Sequence, residues 1–123
     1  MLREIDEAIL KEKGYSFDVS DENKFTCIVI HEYPFPPVYT PRSADLLIRL
    51  PNGFPTAKPD MFWTLPNVTL TTGGFPHQCA HFETYLGKSW QRWSRHWITP
   101  WRPGRDGLHT FLAAISSDIA RGI

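Results

Sequence analysis

The order of helical and strand patterns predicts an α+β domain in which an antiparallel sheet stands between an N-terminal and a C-terminal helix. Residues 1–13 and 106–121 carry apolar side chains at helical spacing. Four short apolar or alternating runs lie between these two segments, and the second of them is rich in β-branched residues. Because strands grouped between helices favour a meander covered on one face, we predict a four-stranded antiparallel sheet with the helices on one side.

The two helices are predicted from their apolar stripes and from the residues at their ends. In the first helix Leu2, Ile5 and Ile9 share one face, and Gly14 is a good stop signal. In the second helix Asp106 is the expected N-cap residue. The apolar stripe of the second helix consists of Leu108, Phe111, Leu112, Ile115 and Ile119.

The strand candidates are residues 15–19, 25–33, 44–50 and 61–64. The proline-dense stretch 34–43 is predicted to stay outside the sheet, because proline cannot donate to a strand ladder. Residues 66–104 lose periodicity but contain four tryptophans, Trp90, Trp93, Trp97 and Trp101. Since disordered segments lack such burial capacity, we predict a long, ordered, functional loop there.

Composition is typical of a folded globular protein and disfavours two classes of partner, nucleic acids and anionic membranes. The 123 residues, 41% of them hydrophobic and 21% charged, predict a single domain spanning residues 1–123. Thirteen basic residues balance thirteen acidic ones, which disfavours binding to nucleic acid or an anionic membrane. The charged N-terminus without a signal peptide, and two cysteines without an indicated disulfide, predict a reducing cytoplasm. Nothing in the sequence indicates a cofactor.

Two motifs resemble the ubiquitin-conjugating (UBC) superfamily. The segment LLIRLPNGFPTAKPDMFW is similar to the third UBC strand and the proline-rich turn into the fourth. The matching residues are Leu47, Arg49, Pro51, Phe54, Pro55, Pro59 and Phe62. Trp101-x-Pro103 before an amphipathic helix resembles the W-x-P that follows the catalytic loop of that family. The order of these motifs implies a UBC-like fold over roughly the whole chain.

A further string, WQRWSRH…WRPG, resembles a diverged bacterial branch of the superfamily. That branch is found with ubiquitin-like proteins, activating enzymes and deubiquitinase-like peptidases. The resemblance therefore implies a conjugating enzyme with these partners, acting in a bacterial ubiquitination-like pathway, and a role in antiviral defence. It also leaves open a catalytically inactive UBC-like module that binds or scaffolds a ubiquitin-like protein.

The chain departs from the family pattern where the nucleophile is expected. The family's His-Pro-Asn triplet is absent, and Phe75-Pro76-His77-Gln78 is only a loose echo of it. At the family's spacing before Trp101 the chain has Trp93, with Ser94 beside it, instead of a cysteine. The resemblance therefore implies that Ser94 holds the position of the acyl carrier.

Transfer of an acyl group from a serine ester requires a base and donors for the tetrahedral oxyanion. His96 is the nearest base to Ser94, and the two side chains project to the same side if this segment is extended. Arg92, Arg95 and Arg102 are candidate donors to the oxyanion or to the modifier's C-terminus. The alternative to this catalytic role is a structural one, in which Ser94 caps a turn.

The rival nucleophile is Cys79, which stands between His77 and His81. Flanking histidines lower a thiol pKa when they are protonated, which favours the reactive thiolate. The same three residues with Glu83 form a weaker candidate for zinc. The Trp/Arg string could also stack single-stranded nucleic acid, although net neutrality disfavours this. His31, which ends a strand, is expected to be a structural histidine.

Overall fold

The computed structural model describes residues 2–94 and 100–122. In this part of the chain there are two helices and eight strands. They are α1 (Glu4–Glu12), β1 (Phe17–Glu22), β2 (Phe25–Pro34), β3 (Tyr39–Thr40), β4 (Ser43–Leu50), β5 (Phe62–Leu65), β6 (Thr69–Leu70), β7 (His81–Tyr85), β8 (Lys88–Trp93) and α2 (Leu108–Ala120). The predicted α+β class, with a helix at each end of an antiparallel sheet, is confirmed.

The main sheet of the described residues has six antiparallel strands in the order β1-β2-β4-β5-β8-β7. The four predicted strands are β1, β2, β4 and β5, and they are four consecutive strands of this six-stranded sheet, in chain order from one edge. Strands β3 and β6 form a separate two-stranded ribbon. The remaining two strands of the main sheet are the β8–β7 hairpin, which the sequence did not predict.

Two loop predictions were wrong. Residues 66–104 contain the hairpin of β7 and β8, whose Trp90 and Gln91 are both buried although they face opposite sides of the sheet. Because both faces are covered, the alternation that reveals a half-exposed strand is missing. The proline-dense stretch 34–43 also contributes to strands. Pro34 is the last residue of β2, where the ladder needs no further backbone N–H, and Tyr39–Thr40 pairs with β6.

Helix α2 closes the main core with the stripe that the sequence predicted. Its five apolar side chains are at most 4% exposed, and each such burial contributes about 1.5–3 kcal/mol. The predicted N-cap was wrong: Gly107 is the N-cap residue, and its N–H donates to Thr110 Oγ1 at 2.9 Å. Asp106 instead accepts the backbone N–H of Arg102 at 2.7 Å, which secures the turn before the helix.

Helix α1 docks through a face that overlaps the predicted stripe only in part. Leu2 and Ile9 pack against the main core as predicted. Ile5 is 62% exposed, whereas Leu10 and the carboxylate of Asp6 are buried. The carboxylate tolerates burial because Arg3 donates two hydrogen bonds to it, at 2.7 and 2.8 Å. None of the helices in residues 2–94 and 100–122 is long and apolar enough to span a membrane.

A second apolar cluster lies on the sheet face opposite the helices. Its fully enclosed members are Cys27, Leu47, Trp63 and Trp90, which confirms Cys27 as a core residue. The guanidinium of Arg49 packs between the rings of Phe25 and Tyr85, 4.2 and 3.8 Å from their centroids. At its rim, Glu22 accepts the N–H of Leu86 at 3.0 Å, so the two outer hairpins close over this face.

His31 joins two strands through its ring, as expected for a structural histidine. Its Nε2 lies 2.7 Å from Asp18 Oδ2, and its Nδ1 lies 3.5 Å from Asp45 Oδ2. The hydrogen bond to Asp18 is the main cause of the raised pKa of His31; burial opposes it, and the charge of Asp45 supports it. The protonated ring therefore stabilises the folded state.

The pH dependence of this contact is a testable consequence. Because the folded-state pKa is raised, the stabilisation is complete below the ordinary histidine value of about 6.5 and is lost as pH rises through the folded-state value. We expect His31→Gln to lower the free energy of unfolding by about 0.5–1 kcal/mol more at pH 5.5 than at pH 8.5, a small effect because the pair is partly exposed. Denaturant unfolding at both pH values measures it, with the exposed His109→Gln as the control. An equal loss at the two pH values would contradict this assignment.

Candidate functional site

The candidate site lies where strand β8 ends. Trp93, the last residue of β8, is completely buried and stacks on Phe62 with 5.1 Å between ring centroids. Ser94 follows it and is half-buried. Its N–H donates to the carbonyl of Gln78 at 3.1 Å, which fixes it against the loop before β7. Ser94 is thus the first accessible residue after a rigid strand.

The hydroxyl of Ser94 belongs to a chain of charged hydrogen bonds. Arg92 Nε donates to Ser94 Oγ at 2.8 Å, and Arg92 Nη1 lies 3.1 Å from Glu83 Oε2. The other oxygen of Glu83 accepts Trp63 Nε1 at 2.9 Å and the hydroxyl of Tyr85 at 3.2 Å. The carboxylate therefore holds the guanidinium in place, and the guanidinium presents a positive charge to the serine oxygen.

Glu83 stays ionised in this arrangement. Burial acts to raise its pKa, but the hydrogen bond from Trp63, the charge of Arg92 and the hydrogen bond from Tyr85 together lower it. A negative Glu83 keeps Arg92 from turning into solvent. The carboxylate of Glu83 therefore positions Arg92, and Arg92 in turn positions the hydroxyl of Ser94.

A buried glutamine fastens the loops that surround the site. Gln91 is 0% exposed, and its Oε1 accepts Thr64 Oγ1 at 2.8 Å and the N–H of Val68 at 2.6 Å. Its Nε2 donates to the carbonyls of Val68 at 2.8 Å and Cys79 at 3.1 Å. Both lone pairs and both protons of the amide are used. One side chain therefore ties β5 and two loops to the strand that leads to Ser94.

Cys79, the alternative nucleophile, has a different environment. Its side chain is 0% exposed within the main core cluster, and its Sγ lies 3.3 Å from the carbonyl of His77. His77 and His81, the flanking histidines, are both exposed. An incoming acyl group reaches this thiol only if the loop around it moves. A buried thiol in apolar surroundings is typical of a structural cysteine.

The predicted supporting residues after the site, Trp101 and Arg102, have partners in the turns next to them. Trp101 Nε1 donates to the carbonyl of Pro55 at 2.9 Å, and its ring packs on Phe54. This contact joins the W-x-P motif to the proline-rich turn. The guanidinium of Arg102 pairs with Asp106 at 3.3 Å, and the backbone hydrogen bond from Arg102 is the main cause of the lowered pKa of that carboxyl. The side chain of Arg102 therefore stabilises the turn before α2.

Two predicted catalytic residues, Arg95 and His96, lie outside the described residues, so their roles stay predictions. Within residues 2–94 and 100–122, no group of three or more His, Cys, Asp or Glu side chains could hold a metal ion. The alternative zinc site made of His77, Cys79, His81 and Glu83 is not assembled there.

Sequence reasoning missed Gln91, and it considered Glu83 only as the fourth ligand of a weaker zinc candidate. A lone glutamine or glutamate in an unpredicted strand gives no signal of its own.

The fold and the site together define a UBC-like domain: a helix, an antiparallel sheet, a site at the end of a strand and a closing helix. The chain belongs to the prokaryotic E2 family E, whose model matches residues 2–122. Neither the curated proteins nor the solved structures contain a match to it. Membership of an E2 family gives the protein a ubiquitin-conjugating-like role and implies interaction with a ubiquitin-like protein and an activating enzyme.

Proposed function

We propose that this protein carries the C-terminus of a ubiquitin-like protein as an oxygen ester on Ser94 and passes it to an acceptor in a bacterial conjugation pathway. The observation that carries the proposal is the 2.8 Å hydrogen bond from Arg92 Nε to Ser94 Oγ. A guanidinium that donates to a hydroxyl oxygen favours negative charge on that oxygen. It therefore favours the attacking form of the serine.

The loading step replaces a thioester bond to the activating enzyme with an oxygen ester bond to Ser94. Ser94 Oγ attacks the carbonyl carbon of the modifier's C-terminus, which arrives as a thioester on the activating enzyme. The C–S bond breaks, the new C–O bond forms, and the serine proton passes through a base to the departing thiolate. His96 is the proposed base because it is two residues from Ser94 in the sequence, and Arg95 is a proposed donor to the oxyanion. A deubiquitinase-like peptidase is the proposed third partner.

Accessibility supports Ser94 over Cys79. Ser94 is half-buried at the end of β8, whereas the thiol of Cys79 is enclosed by the core and its backbone is fastened by Gln91. A group that receives a protein C-terminus must be reachable without unfolding its surroundings. The partial exposure of Ser94 among the described residues supports it as the group that meets this requirement.

The test is formation of a covalent adduct. The protein is mixed with its activating enzyme, ATP and the ubiquitin-like protein, and the products are separated by denaturing electrophoresis. We expect a single adduct that hydroxylamine or mild base cleaves and that thiol reductants leave intact. Ser94→Ala should abolish it, whereas Cys79→Ala and the matched control Ser89→Ala, which changes an exposed serine of β8, should retain it.

The other outcomes are equally specific. Loss of the adduct in Cys79→Ala but not in Ser94→Ala, together with cleavage by reductant, would assign the acyl group to the cysteine. No adduct with any variant, together with binding of the ubiquitin-like protein, would identify the domain as an inactive scaffold.

A further inference from the structure

Strand β7 forms an open edge of the main sheet directly beside the candidate site. Its only partner among the described residues is β8, and the strand begins two residues after Cys79. The register is Phe82 opposite Gln91 and Thr84 opposite Ser89. A sheet edge of this kind presents unpaired backbone donors and acceptors that can accept another strand.

The turn of the hairpin determines which backbone groups face outwards. Leu86 and Gly87 both have positive φ, 54° and 75°, as in a two-residue type I′ turn closed by Tyr85 and Lys88. In such a hairpin the closing pair exchanges hydrogen bonds and the pairing then alternates. The N–H and C=O groups of Phe82 and Thr84 therefore point away from β8 into the open edge.

The two edges of the sheet differ in how they are protected. The opposite edge, β1, carries the exposed carboxylates of Asp18 and Asp21, which discourage the approach of a further strand. In β7 the one carboxylate, Glu83, is turned to the far face and held by Trp63, Tyr85 and Arg92. The β7 edge therefore lacks the exposed negative charge that discourages the addition of a strand to β1.

An exposed aromatic pair borders the same edge. Phe82 is 45% exposed and Phe75 is 42% exposed, and their rings meet edge to face with 6.0 Å between centroids. Large apolar side chains left in solvent beside unpaired backbone groups are typical of a surface that binds an extended peptide. The side chains offer apolar contact, while the backbone offers hydrogen bonds.

We propose that the β7 edge binds the extended C-terminal tail of the ubiquitin-like protein as an added strand, an inference that rests on the proposed function. Ser94 lies beyond the His81 end of β7, so a tail that ends at Ser94 runs antiparallel to β7. Crossing from the added strand past β7 to β8 spans two strand spacings, about 10 Å. Three extended residues cover this distance at about 3.4 Å each.

Hydrogen exchange on the wild-type protein tests the proposal without any substitution. The probe is a peptide with the last eight residues of the ubiquitin-like protein used in the adduct assay, closed by a C-terminal amide so that it cannot react. At saturation we expect the amides of Phe82 and Thr84 to exchange at least about tenfold more slowly, while that of Glu83, already bonded within the hairpin, is unchanged. Unchanged exchange at both outward amides would overturn the proposal. Protection that appears without peptide and grows with protein concentration would identify a second copy of the chain as the occupant and would also overturn it.

A proline substitution tests whether the edge serves the reaction. Thr84→Pro removes an outward N–H but no hydrogen bond to β8, whereas the matched control Thr84→Val keeps that N–H. We expect Thr84→Pro to slow adduct formation about tenfold at low concentrations of the ubiquitin-like protein, and Thr84→Val to change it less than about twofold. Thermal unfolding verifies that both variants are folded. Equal rates in the two variants would overturn the role of the edge, whereas failure of the wild-type protein to form any adduct would overturn the proposed function instead.

Discussion

Gln91→Leu is expected to lower the free energy of unfolding by about 3–5 kcal/mol, one of the two largest effects predicted for this protein. Leucine fills a similar volume but leaves the backbone groups of Val68 and Cys79 and the hydroxyl of Thr64 without their partner in a buried site. Each buried polar group that loses its hydrogen bond costs about 1–3 kcal/mol. Denaturant unfolding at neutral pH measures the loss.

The matched control for this prediction is Gln78→Leu. Gln78 is an exposed glutamine in the same region, and its contact with the site is made by its backbone carbonyl, which leucine retains. We expect the control to change stability by less than about 0.5 kcal/mol. A loss below about 1 kcal/mol in Gln91→Leu would show that the amide network does not hold the loops together.

Ser94→Cys is expected to change the chemistry of the adduct completely. The substituted sulfur occupies the position of Oγ beside Arg92, and the nearby positive charge favours the thiolate. The adduct should then form as a thioester, which dithiothreitol cleaves within minutes, whereas the wild-type ester resists it. Because thiolate is the better leaving group, transfer to an added amine should accelerate by at least about tenfold.

Two further variants test whether the thioester forms at position 94 itself. Ser89→Cys introduces a thiol at an exposed position on the same strand and should leave the adduct resistant to reductant. The pair Ser94→Cys with Cys79→Ala should behave like Ser94→Cys alone. An adduct of Ser94→Cys that dithiothreitol does not cleave would place the acyl group on a different side chain.

The sequence predicted the elements that have a long apolar run or an apolar stripe. Strands β2 and β4 are covered on both faces but contain long apolar runs, and α2 has an unbroken apolar stripe. The hairpin of β7 and β8 escaped prediction for a physical reason. Trp90 faces the second apolar cluster while Trp93 faces the main core, and Gln91 between them is buried by hydrogen bonding.

The sequence proposed a candidate site at Ser94 but did not reveal the side-chain contacts around it. The spacing from Trp101 selected Ser94, because the W-x-P motif is a local feature of the sequence. The Glu83–Arg92–Ser94 hydrogen bonds depend on the pairing of β7 with β8, which no local pattern revealed. The position of Ile5 in α1 was mistaken for a related reason: Arg3 pairs with Asp6, so this carboxylate and not Ile5 is buried in the first turn.

The most direct test of the account is to identify the residue that carries the modifier in the wild-type adduct. Brief tryptic digestion followed by tandem mass spectrometry separates the candidates, since cleavage after Arg92 and Arg95 places Ser94 on a tripeptide and Cys79 on the peptide that ends at Lys88. We predict that the C-terminal remnant of the ubiquitin-like protein is attached to Ser94 Oγ. A remnant on Cys79, or on any lysine of this chain alone, would contradict the account.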